Sequence, residues 1–199
     1  MKNYMKYFQK IRNKLFLFIP RPKFNIENFE ILKLHLGCGS DYKHGWVNID
    51  INTSVRADIY TNFGNIKNFF NENTVQIISM SHSISYMNLW EARSFFADAH
   101  NLLLNDGKLE IEFPDIIKCS KIIISESDID AYLEGVRGVF AFDLGQINNK
   151  ERYTPYSFGW SGWHLKEELL KIGFKDVIIS DPETHGKRMW RDTRVVAIK

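Results

Sequence analysis

The chain has 199 residues, 44% of them hydrophobic, and a formal net charge of +2. That length suits one domain with a sizeable core, and the composition argues against disorder. The charge is too near neutral for nucleic-acid binding over the whole surface, and no apolar run approaches the roughly 18–20 residues that span a membrane. The two cysteines, Cys38 and Cys119, form neither a metal-ligand pattern nor a disulfide framework. A reducing, cytoplasmic compartment is therefore expected, with no metal.

Residues 1–19 stand apart. Lys2, Lys6, Lys10, Arg12 and Lys14 are basic, and no acid precedes Glu27. Tyr4, Phe8, Ile11, Leu15 and Phe18 recur at steps of four and three, which places them on one face of a helix. Pro20 and Pro22 end it. Residues 1–23 thus read as a basic amphipathic helix ahead of a single domain over 24–199. Two readings stay open. The helix rests on an anionic membrane surface at the inner face, or it is an arm packed on its own domain or on a second subunit.

Ile31, Leu32, Leu34 and Leu36 form an apolar run closed by Gly37 and Gly39. This is the pattern of a buried strand running into a glycine turn, as open α/β sheets present a nucleotide at their carboxyl edge. The stretch 46–51 reads as a second strand, with Asp50 placed to accept from both hydroxyls of a ribose. A dinucleotide fingerprint needs a third glycine where this chain has Tyr42, which disfavours a ligand with a pyrophosphate. The crossover from Gly39 to Trp46 holds barely a turn and a half of helix, less than parallel strands normally need.

Leu-His-Leu-Gly-Cys-Gly-Ser, residues 34–40, resembles the first motif of class I S-adenosylmethionine (SAM)-dependent methyltransferases. The continuation Gly45-Trp46-Val47-Asn48-Ile49-Asp50-Ile51 is similar to predicted bacterial methyltransferases related to the type 11 group. The resemblance implies a Rossmann-like α/β fold. It would have a seven-stranded, mostly parallel sheet, one antiparallel strand near the C-terminus and helices on both faces. SAM is the implied cofactor, held by Gly37, Cys38, Gly39, Asp50, Asn62, Phe63 and Ser81.

Further along, residues 56–63 read as a third strand and its exit. There the family pattern has an acid beside the adenine amino group where this chain has Asn62, followed by Phe63. An amide oxygen still accepts from an amino group; a loop asparagine chosen for turn geometry is the alternative. Residues 75–82 read as a fourth strand. His82 matches the first histidine of the family's exit motif, whereas Gln76, Ser85 and Tyr86 depart from it. Residues 89–104 have helical spacing, Asn105-Asp106-Gly107 carries turn chemistry, and 108–113 alternates as a strand stopped by Pro114. Leu103 to Asp115 is similar to the same family's fifth-strand signature. Asp115 is a candidate base or substrate acceptor there, or else a helix N-cap.

Residues 116–163 exceed a simple crossover and read as a substrate-side insertion, helical over 116–145. The loop Phe142-Asp143-Leu144-Gly145-Gln146 also resembles the family. Tyr153, Tyr156, Phe158, Trp160 and Trp163 suggest an aromatic binding wall, or a loop stapled down by its own rings. His164, which often precedes the last helix in the family, joins His82 and Asp115 as a candidate catalytic base. A helix at 165–172, a strand at 174–180 and a closing strand at 194–199 resemble the methyltransferase ending. The sequence is thus expected to encode a methyltransferase acting on a hydroxyl of a small-molecule or glycan acceptor, in bacterial surface polysaccharide biosynthesis. The alternative is an inactive methyltransferase-like binding or scaffold protein. No nucleic-acid partner is expected, and the sequence leaves the oligomeric state open.

Overall fold

The computed structural model describes residues 31–125, 128–142, 154–184 and 188–199. The expected helix over residues 1–19 lies outside the described residues, as do Tyr153 and residues 143–146. Seven strands form one sheet: β1 (Leu32–Leu36), β2 (Val47–Asp50), β3 (Ile59–Tyr60), β4 (Val75–Ser81), β5 (Leu103–Pro114), β6 (Asp176–Ser180) and β7 (Asp192–Ile198), in the order β3-β2-β1-β4-β5-β7-β6. β1 pairs in parallel with both β2 and β4, and β4 in parallel with β5. β7 runs antiparallel between β5 and β6, the one reversed strand that the sequence leads one to expect. The chain walks outward from β1 through β2 to β3, then returns to β4. The strand order therefore switches between β1 and β4, and in such sheets ligands sit at the carboxyl ends beside that switch.

The helices are α1 (Leu89–Leu102), α2 (Ile116–Ser125), α3 (Ile129–Phe140) and α4 (Gly162–Ile172). Asn88 caps α1: its side chain accepts from the Trp90 and Glu91 amides at 3.0 Å each, while Glu91 accepts from the Asn88 amide at 2.8 Å. The reciprocal bonds satisfy donors that the first turn leaves unpaired. α1 buries Ala92, Phe95, Phe96, Ala99 and Leu102, a one-sided stripe at helical spacing. Phe96 meets the fully buried Trp160 edge-on at 5.8 Å. Burying one such ring contributes about 1.5–3 kcal/mol. α2 and α3 approach closely because Gly135 and Gly138 have no side chains. A Cβ on Gly138 would fall 2.4 Å from Cys119 Sγ.

Two local features, the short irregular first crossover and a departure in β5, have physical causes. No helix forms between β1 and β2; residues 37–46 are turns. The buried Asn48 side chain takes the place of a helix. Its Oδ1 accepts from the Lys43 amide at 2.8 Å, and its Nδ2 donates to the Lys43 and Trp46 carbonyls at 2.9 and 3.0 Å. The turn expected at Asn105-Asp106-Gly107 is instead an irregularity inside β5, which runs on from Leu103. Asp106 enters the left-handed region at φ 64°, and the register with β4 shifts there.

Candidate active site

The glycine loop leaves β1 in a conformation few side chains tolerate. Gly37 and Gly39 have φ of 63° and 51°. A Cβ on Gly37 would lie 2.0 Å from Ser83 Oγ, whereas one on Gly39 would meet nothing within 4 Å. The first glycine is thus required by the fold. The second leaves open space where a ligand can approach the backbone. The Ile49 carbonyl accepts from the Gly37 and Cys38 amides at 2.8 and 3.2 Å. Asp50, at the end of β2, accepts from the Gly39 amide through Oδ2 and from the Asn52 amide through Oδ1, both at 2.8 Å. Each oxygen keeps a lone pair beyond its one backbone bond, so the carboxylate can also hold ligand hydroxyls.

Cys38 does not present its side chain to a ligand. The thiol is buried and reaches the Arg56 carbonyl at 3.5 Å, and burial pushes its pKa up to about 12. Its amide is bound to Ile49, and its carbonyl accepts from the Asp41 amide at 2.8 Å. Its part is to shape the loop. Tyr42, in place of the third glycine of a dinucleotide site, donates to Asp58 Oδ1 at 2.7 Å under the Arg56 guanidinium, 4.1 Å from the ring centre. Asn62 precedes the short 3₁₀ helix at 63–68, but its side chain makes no cap bond and is exposed beside the loop after β3. Phe63 is partly buried against Phe95, with ring centres 6.1 Å apart.

Beside the switch point opens a cavity of about 290 Å³. Gly37, Ser81, His82 and Ser83 line it from the sheet edge; Tyr86, Tyr156, Arg137, Arg188 and Arg191 are on its other walls. His82 has a φ of 58°. Such a conformation costs a residue other than glycine of order 1–3 kcal/mol and is frequent at functional sites. His82 Nε2 is 2.9 Å from Asp192 Oδ2 at the head of β7. Asp192 also accepts from Arg191 Nε at 2.8 Å and Nη2 at 3.3 Å. Burial alone would push the Asp192 carboxyl up. Hydrogen bonds from His82 and Arg191 outweigh it and hold the group at about 2. Tyr86 and Tyr156 meet edge-on at 4.9 Å, and burial pushes both phenols upward, so they remain hydrogen-bond donors.

Gly37, Ser81 and His82 are therefore brought together at one cavity, with Gly39 and Asp50 on the adjoining loop. The other two candidate bases lie elsewhere. Asp115 is the N-cap of α2: Oδ1 accepts from the Ile117 and Lys118 amides at 2.9 and 3.3 Å, and Oδ2 from the Gly162 amide at 2.8 Å. Three backbone donors occupy this buried carboxylate. His164 stacks on Trp160 at 5.2 Å, with Nε2 3.9 Å from Glu168 Oε1, and is not part of the cavity wall. The expected aromatic wall is divided. Tyr156 lines the cavity, whereas Phe158 and Trp160 staple their segment into the core and Trp163 is exposed. Sequence reasoning missed Asp192 and the three arginines. The sequence signal for Asp192 and two of the arginines is Arg188-x-x-Arg191-Asp192 at the entry to β7, and Arg137 has none.

No protein-family model matches the chain, and no curated protein sequence does. Solved structures do. A SAM-dependent methyltransferase from Archaeoglobus fulgidus superposes with a TM-score of 0.56 at 11% identity, over 96% of this chain and 94% of that one. One from Methanosarcina mazei gives 0.58 at 13% identity, over 84% and 92%. One from Aquifex aeolicus gives 0.52 at 14% identity, over 85% and 82%. The chain thus has the fold of SAM-dependent methyltransferases.

Proposed function

We propose that the protein is a SAM-dependent methyltransferase that moves a methyl group to a hydroxyl of a small-molecule or glycan acceptor. One observation carries this reading. The glycine loop and Asp50 sit at the strand-order switch and adjoin the cavity lined by His82, which Asp192 holds from behind. The residues present fit SAM. Gly39 leaves room over the backbone, Asp50 has acceptor capacity for ribose hydroxyls, and the Asn62 amide is not used as a helix cap.

When bound, SAM supplies a methyl group on a positively charged sulfur that is already a good leaving group. The protein's work is then alignment, and removal of the acceptor proton. His82 borders the same cavity as Gly37 and is the side chain suited to take that proton. Asp192 orients the ring through Nε2, and its carboxylate stabilises the imidazolium that results. The Tyr86–Tyr156 pair offers ring faces and phenol donors to an acceptor, which suits a sugar. A hydroxyl on a surface-polysaccharide precursor is the acceptor we favour.

Calorimetric titration with SAM, S-adenosylhomocysteine and NAD tests the cofactor. We expect the first two to bind and NAD not to. Asp50→Ala should weaken SAM by about 1–3 kcal/mol through loss of charge-assisted hydrogen bonds. Unchanged affinity would remove the ribose role of Asp50. Binding of none of the three would favour an inactive binding or scaffold protein.

A further inference from the structure

We infer that the cavity beside the glycine loop binds a compact anionic group of the acceptor, a phosphate or a carboxylate, through Arg188. This rests on reading that cavity as the acceptor site. The wall carries Arg137, Arg188, Arg191 and His82, and among the described residues neither an aspartate nor a glutamate lines it. The carboxylates behind the wall are shared. Glu134 lies 3.3 Å from Arg137 Nη1 and 3.5 Å from Arg191 Nη1. Asp192 is divided between Arg191 and His82. Arg137 and Arg191 are thus each paired with a carboxylate, whereas among the described residues no carboxylate pairs with Arg188.

A guanidinium beside a concave surface is suited to oxyanions because its donors match two oxygens at once. The phenols of Tyr86 and Tyr156 add hydrogen-bond donors on the same wall. Volume limits the guest. About 290 Å³ is at the small end of ligand cavities, enough for one charged group and the atoms around it but not for a polyanion. Charge balance points the same way. A sulfonium cation next to these arginines is unfavourable on its own, and an anion on the acceptor offsets both.

The test titrates inorganic phosphate, and separately acetate, into the full chain saturated with S-adenosylhomocysteine, for the parent protein, Arg188→Gln and Arg188→Lys. We expect one saturable site. Affinity should fall about 10-fold or more in Arg188→Gln and recover in part in Arg188→Lys. S-adenosylhomocysteine affinity should stay within about two-fold throughout, because Arg188 is not part of the glycine loop. Phosphate binding alone assigns a phosphorylated acceptor; comparable acetate binding extends the assignment to carboxylates. Absence of saturable binding by either ion, or binding that Arg188→Gln leaves unchanged, overturns the inference while leaving the methyltransferase reading intact. Failure of S-adenosylhomocysteine to bind would instead remove that reading, and the phosphate titration of the free protein would still decide the anion site.

Discussion

Asp192→Asn removes one charge from behind the wall of the cavity while keeping the shape of the side chain. Asp192 is 0% exposed and takes hydrogen bonds from His82 Nε2 at 2.9 Å and Arg191 Nε at 2.8 Å. Arg191 is itself only 2% exposed. The amide retains one acceptor oxygen but turns an NH₂ group toward another donor. Among the described residues Arg191 would then keep Glu134 as its one carboxylate partner, at 3.5 Å and about a third exposed. Breaking a buried ion pair from one side costs about 3–5 kcal/mol, because the remaining charge stays buried without compensation. For a chain of this size each kcal/mol lowers the melting temperature by about 2–4 °C, so the variant should melt about 6–20 °C below the parent. Urea unfolding followed by tryptophan fluorescence at pH 7 measures the cost directly. A loss below about 1 kcal/mol would refute the reasoning: it would mean that water reaches the Arg191–Asp192 pair and that burial does not govern this wall.

Asp115→Ala should cost about 1–3 kcal/mol in stability through the lost cap of α2 and the unpaired Gly162 amide, with SAM affinity unchanged. A clear loss of affinity at unchanged stability would restore Asp115 as a ligand-binding group. Acid should also unfold the protein along a defined limb. The Asp192 carboxyl lies at about 2 against its ordinary 3.8. Glu168, hydrogen-bonded first by Arg93 and then by Lys171 against the effect of burial, lies at about 2 against 4.5. Both are depressed, so their stabilisation is full above the ordinary values and is lost as pH falls through about 2. For Asp192 this amounts to about 2 kcal/mol. The urea midpoint should hold steady above pH 5 and fall steeply toward pH 2; a flat profile would contradict both pairings.

The elements nearest in sequence were the most legible. The run from Ile31 to Gly39 and the acid of β2 announce a strand, a turn and a ligand edge within one short stretch, because each signal is local. The cavity was not legible, because its walls are assembled by topology. Asp192 reaches His82 only when β7 inserts antiparallel beside β5, so two residues 110 positions apart become hydrogen-bonded. Arg137 arrives on α3 and Arg188 on the connection to β7, and neither has a periodic signal. The aromatic segment left two readings open for a different reason. Phe158 and Trp160 have no helical or strand spacing, yet they are covered by α1 and α4 because their segment lies across the core as a strap. Periodicity detects burial in regular elements and is silent about such a strap.

The missing crossover helix bears on how a ligand is received. Three consecutive residues of β2 anchor the glycine loop and the turn after it: the Ile49 carbonyl holds Gly37 and Cys38, Asp50 holds Gly39, and Asn48 holds Lys43. A long crossover would have left these backbone groups to be ordered by the ligand itself. Here they are immobilised when β1 and β2 pair, so the conformational entropy of the loop is lost during folding and not at the moment of association. A guest at this edge meets a rigid receptor, and its affinity depends on the groups it adds to the surface and not on a rearrangement it must induce.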